Sequence, residues 1–151
     1  MPSIAAEFTV IVEAYQEVTG VQNHLFSVTR DTDSSPRVHA RIMTTANTSM
    51  VTYDDANALS LNIPSSAAFP LVTSRFNRYG FAFKAGDMKL MVNGQRTNGN
   101  AVKSGVIPSG LTRLRIGHDS NPLVDQNPMV IRSIVVIPRA VSHNDLIALT
   151  F

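Results

Sequence analysis

The chain has no cysteine and no tryptophan among its 151 residues. Without thiols it forms neither a disulfide nor a thiolate metal site, and its redox compartment is left open. Without tryptophan it lacks the ring that most sugar-binding sites would use. No stretch approaches the roughly 20 apolar residues needed to cross a bilayer, so no membrane insertion is expected. The opening Met1-Pro2-Ser3-Ile4-Ala5-Ala6-Glu7 lacks the basic-then-apolar order of a signal peptide. A strand pattern begins almost at once at Phe8, which suits a domain cut from a longer protein as well as a complete small one. Glutamate is scarce, with only Glu7, Glu13 and Glu17. The four histidines, His24, His39, His118 and His143, have no His or Cys at ligand spacing, so no zinc site is expected. There is no Gly-x-Ser-x-Gly elbow. Asp54 and Asp55 are adjacent, and Glu13 and Asp87 would meet only by accident of topology. No catalytic acid pair can be named, and no enzyme activity is expected.

What the chain does have is period-two alternation almost throughout. Strands are predicted over residues 8–15, 24–29, 37–43, 49–53, 58–63, 77–83, 88–92, 111–116 and 129–137. Turn chemistry separates them: Asp31 to Pro36, Thr44 to Ser49, Ala85-Gly86-Asp87, Asn93-Gly94 and a loop-rich run through Gly99, Gly105, Pro108 and Gly110. Residues 64–70 and 118–128 read as long surface loops. One short helix is expected after Ser142, capped by that serine with Asp145 three residues on, with Leu146, Leu149 and Phe151 on its buried side. Many short strands at roughly ten-residue spacing give an all-β, two-sheet antiparallel jelly-roll sandwich, a single domain over residues 1–151.

Charge is uneven. Residues 1–75 carry four basic and seven acidic groups, and residues 76–151 carry nine basic and four acidic. The arginine-weighted second half suits an anionic partner or an interface, or is a solvated face. Its basic residues are scattered with no interleaved aromatics, so nucleic acid is not an expected partner.

The order of a strand ending in Asn93-Gly94, a strand ending in Ile116-Gly117, a long strand over 131–137, and the corner Pro138-Arg139-Ala140-Val141-Ser142 before a short helix resembles the concanavalin A-like lectin/glucanase superfamily. Within it, the chain is similar to the laminin-G/pentraxin-like jelly rolls. Residues 8–14 and 24–28 resemble that family's first two strands. The chain departs from the pattern at Pro128-Met129-Val130-Ile131-Arg132, where a Gly-aromatic-Ile-Asp segment is usual, and it lacks the Glu-x-Asp-x-x-Glu strand of the catalytic members. The resemblance implies a non-catalytic binding module on a phage tail, fibre or capsid surface that recognises cell-surface glycans. The alternative is a virion decoration or assembly domain working through protein–protein contacts. Both place it on a virion surface or outside the cell, and both are compatible with a homo-oligomer.

For a glycan, Tyr79 beside Asn77 and Arg78, together with Asp119, forms the expected contact set; the bland alternative packs the tyrosines at sheet edges. For calcium, which that family often binds at one rim, Asp119 and Asp125 are the expected ligands, in a loop that also holds Asn121, Gln126 and Asn127. A second oxygen-rich turn holds Asp31, Asp33 and Ser34, and turn formation alone also accounts for both clusters. Beyond calcium no cofactor is implied. Met43, Met88, Met91 and Met129 mark a methionine-rich side that belongs to the core or to a contact between subunits.

Overall fold

A computed structural model describes residues 6–16, 21–30, 37–43, 47–64, 75–96, 103–118 and 128–151. Among these, the predicted alternation resolves into β1 (Glu7–Gln16), β2 (Asn23–Thr29), β3 (Arg37–Ile42), β4 (Thr48–Tyr53), β5 (Leu59–Pro64), β6 (Asn77–Lys84), β7 (Lys89–Val92), β8 (Gln95–Arg96), β9 (Arg113–Ile116), β10 (Met129–Ile137) and α1 (His143–Thr150). Sheet A has the order β10-β1-β6-β7-β8 and sheet B the order β5-β4-β3-β2-β9. All pairings are antiparallel, as a sandwich with one wet or covered face per sheet requires.

The inner faces meet in one aromatic-rich core. Phe8 and Phe83 are register partners and stack with centroids 4.7 Å apart, while Phe26 meets Phe81 edge-on at 5.3 Å. Val10, Val12 and Ala14 follow Phe8 inward at every second residue of β1, against Val28, Val38 and Ala40 of sheet B. Each fully buried valine or phenylalanine contributes about 1.5–3 kcal/mol of apolar transfer. Met88 lies in this core and Met91 under the helix, so these two methionines fill the interior.

Asn93 and Gly94 both have positive φ, 51° and 71°, the conformation that an Asn-Gly hairpin turn demands. The two-residue β8 that follows the turn is too short to show as alternation.

The helix lies on the outer face of sheet A. Ser142 Oγ accepts from the Asp145 amide at 3.1 Å and donates to its carboxylate at 2.7 Å. Leu146 and Thr150, one turn apart, are the buried residues. They sit over Gly80, where an added Cβ would lie 2.7 Å from Thr150 Cγ2 and 2.8 Å from Leu146 Cδ1. Leu146 is thus buried as expected, but Thr150 takes the place expected of Leu149, and Leu149 is 40% and Phe151 89% exposed.

A second correction concerns β10. Its β-branched run reads as core, and Met129, Ile131 and Ile134 do pack partly against the core, but it is an edge strand with only β1 beside it among the described residues, and Val135 and Val136 are 51% and 43% exposed. A strand with one neighbour buries only part of each residue, whatever its composition.

Candidate functional site

The alternation of β6 separates the residues expected to hold a sugar. Tyr79 points inward and is fully buried among the core phenylalanines, so it has no ring face to offer. Burial pushes the pKa of its hydroxyl up, only partly offset by a hydrogen bond with Asn77. Asn77 is also buried, and its amide is spent on structure: it donates to the Arg75 carbonyl at 3.2 Å and accepts from Asn93 Nδ2 at 2.9 Å. Arg78 lies on the opposite face, where its guanidinium donates to the Phe151 carbonyl at 3.0 Å and approaches Glu13 at 4.0 Å. The three residues brace the Asn93-Gly94 hairpin and the end of the helix. Asp119 and Asp125, with Asn121, Gln126 and Asn127, lie outside the described residues, as do Asp31, Asp33 and Ser34. Among the described residues no group of three or more His, Asp or Glu side chains is arranged to hold a metal ion.

The carboxylates among the described residues have structural partners. Glu7 pairs with Lys84 at 3.2 Å, Glu13 with Arg132 at 2.8 Å and Asp87 with Lys89 at 2.6 Å. Asp54 accepts from the amides of Ala56 and Ala58 and so closes the turn between β4 and β5. Asp55 gathers Arg30 and the Ser109 amide, tying three loops at one end of the sandwich.

The outer face of sheet B is different in kind. Its five strands carry Arg37, Arg41, Arg113, Arg115, His24 and His39 and not one Asp or Glu. On β3, Val38, Ala40 and Ile42 go to the core, which turns Arg37, His39 and Arg41 outward together. Register places His39 between Ser27 and Val51, and Arg41 between His24 and Ser49. On the far side of β2, Arg115 lies opposite Ser27 and Arg113 opposite Thr29. A bulge between His24 and Phe26 re-aims the start of β2.

Rings run across this face. His24 meets His39 edge-on at 5.0 Å, His39 meets Tyr53 at 6.0 Å, and the Arg37 guanidinium stacks on the Tyr53 ring at 4.3 Å. Arg41 Nε donates to Ser49 Oγ at 3.2 Å. The face is not simply solvated, as the Arg37-His39-Arg41 alternation suggests: both histidines are 2% exposed, while the arginines of β3 and Tyr53 are half-buried. Guanidinium forks on such a face, one of them stacked on a ring, are suited to a carboxylate or another planar anion, which they bind bidentately. Arg37 and Arg41 are separated by about 13 Å along the strand, with the buried His39 between them on the same face.

None of these arginines stood among the residues expected to bind. The signal that finds them is the pairing of alternating cations on two strands with the absence of acids from five, and the second half of it needs the sheet order.

No family model matches the chain, and no curated protein matches it by sequence. Solved structures do match in fold. The CBM40 module of the Ruminococcus gnavus IT-sialidase, bound to α2,3-sialyllactose, superposes with a TM-score of 0.71 at 18% identity, over 96% of this chain and 83% of the module. The leech intramolecular trans-sialidase complexed with 2,7-anhydro-Neu5Ac gives 0.71 at 20% identity, over 95% of this chain and 23% of that one. Trypanosoma rangeli sialidase gives 0.67 at 14% identity, over 95% of this chain and 22% of that one. At these identities the likeness is one of fold, that of a two-sheet antiparallel β-sandwich.

Proposed function

We propose that the chain is a non-catalytic glycan-binding module, that its ligand carries a carboxylate, and that Arg37, Arg41, Arg113 and Arg115 receive it on the outer face of sheet B. One observation carries this reading. The strands of sheet B hold four arginines and no acid, and Arg37 is stacked on Tyr53 beside them. The structural neighbours support it, since a module of the same fold holds sialyllactose, an oligosaccharide with one carboxylate. The engagement of Glu7, Glu13, Asp54 and Asp87 in ion pairs and turns supports a binding role over a hydrolytic one. A virion setting gains no support from these neighbours, which are sialidases and a sialidase module.

Calorimetric titration with α2,3-sialyllactose, α2,6-sialyllactose and neutral lactose tests the reading. Both acidic sugars are expected to bind, with lactose at least about tenfold weaker. Arg37→Ala and Arg41→Ala are each expected to weaken the acidic sugars by about tenfold or more, the worth of one charge-assisted hydrogen bond. Equal binding of lactose, or full affinity in both variants, would overturn it.

A further inference from the structure

Among the described residues the two sheets end in four edges, and three of them are protected. β8 has two residues, β9 has four of which two are arginine, and β5 ends in Pro64. These are the devices that keep sheet edges from pairing. The fourth edge, β10, has nine residues with no proline, glycine or lysine. Its one charge, Arg132, is drawn back onto its own sheet by Glu13 at 2.8 Å and by the Phe76 ring, 3.8 Å from the guanidinium carbon.

We infer that β10 pairs antiparallel with β10 of a second copy of this chain, about a two-fold axis through Val135. The register selects this partner. From Ser133 to Ile137 the strand runs without a bulge, with Ser133, Val135 and Ile137 opposite Glu13, Ile11 and Thr9, and Ile134 and Val136 opposite Val12 and Val10. Pairing about Val135 sets Ser133 against Ile137, Ile134 against Val136, and Val135 against itself. Every pair then joins residues of the same face, and three of the five are β-branched on both sides, the pairs that stabilise sheets most. A two-fold centred on Ser133 fails this condition, because the register shift at Glu13 and Ala14 would set Val130, on the outer face, against Val136 on the inner.

The flanking surface suits the same joint. Beside the axis a shallow groove is lined by Ile11, Glu13, Arg78, Ser133, Val135 and Leu149, with Val135 51% and Leu149 40% exposed. Pairing places two such apolar groups next to each other across the axis. A joint of one strand pair is smaller than the roughly 800 Å² per partner of a standard interface, so the pair is a weak, concentration-dependent dimer.

Because the chain has no cysteine, one introduced thiol reports the pairing. Residues opposed across an antiparallel two-fold lie about 4.5–5.5 Å apart at Cα, within disulfide reach. Under mild oxidation Val135→Cys is expected to give a cross-linked dimer at least about tenfold faster than Val106→Cys, which is 47% exposed elsewhere on the surface. Sedimentation velocity on the unmodified chain is expected to show mass rising toward a dimer between about 10 μM and about 1 mM, and Val135→Lys is expected to stay monomeric. A monomer throughout, with Val135→Cys no faster than Val106→Cys, overturns the inference and leaves the edge to a strand of another protein. A dimer that persists unchanged in Val135→Lys overturns it as well.

Discussion

Gly80→Ala tests the seating of the helix, on which the outer face of sheet A depends. Gly80 lies on β6 opposite Ile11 and Met91, directly beneath α1. An added methyl would meet Thr150 Cγ2 at 2.7 Å and Leu146 Cδ1 at 2.8 Å, closer than Cβ atoms pack. Neither neighbour has room to retreat, since Leu146 is 0% and Thr150 1% exposed. Thr150 is also pinned, donating to the Leu146 carbonyl at 2.8 Å and accepting from the Gly94 amide at 3.2 Å. Overpacking of this kind costs about 1–3 kcal/mol. Replacing glycine in a strand returns about 0.5–1 kcal/mol of backbone entropy, so the net loss is centred on about 1 kcal/mol. In a domain of this length that lowers Tm by about 2–4 °C. Urea unfolding of the single variants and of Gly80→Ala/Leu146→Ala separates a steric cause from a general one. Leu146→Ala alone costs about 2–5 kcal/mol, and because it also makes room for the methyl, the double variant is expected to fall short of the sum by about 1 kcal/mol. A Gly80→Ala protein as stable as the parent, or strict additivity in the double variant, would refute the reasoning.

Other expectations follow from single residues. Thr9 is fully buried, and its hydroxyl both donates to the Arg139 carbonyl at 2.9 Å and accepts from the Val141 amide at 3.0 Å. The near-isosteric Thr9→Val leaves both groups unpaired and is expected to cost about 1–3 kcal/mol by urea titration, whereas a loss near zero would mean that water replaces the hydroxyl. His143 has its pKa lowered by burial first, then by Arg96 and Lys89. The folded state thus binds its proton less readily than the unfolded one. Stability is full above the ordinary value near 6.5 and falls as pH drops through it, a slope that His143→Asn is expected to flatten between about pH 7.5 and about pH 5. An unchanged slope in that variant would show that other groups set the acid limb.

The sandwich was legible because its signals are local. Alternation in residues 8–15 and 37–43, the Asn93-Gly94 pair and the Ser142–Asp145 cap each decide their own few residues, and each is present in the structure. What lay beyond local reading is which strand neighbours which. Residues 129–137 look the same whether the strand is central or at an edge, and only the sheet order decides that Val135 faces water. The candidate site fails to show for the same reason. Arg37 and Arg113 are 76 positions apart, and they share a face only because β2 stands between β3 and β9. Tyr79 fails in the opposite sense: its neighbours Asn77 and Arg78 are polar, but adjacency along a strand is not proximity on a surface. Alternation instead sent the ring inward and left Arg78 outside.

The pairing of β1 with β10, which joins Thr9 to Ile137, sets a timetable for biosynthesis. The first strand emerges early from the ribosome and gains β6 as a neighbour, but its other side stays open until residues near 137 have left the exit tunnel. Closing so distant a pair is slow, because the entropy of the intervening loop is lost before any contact rewards it. The nascent chain therefore passes through a period in which β1 presents a bare rim, the condition under which aggregation competes with folding. Production at low temperature or slow synthesis should favour the native product over inclusion bodies, and chains halted before Met129 should be recovered mainly as insoluble material.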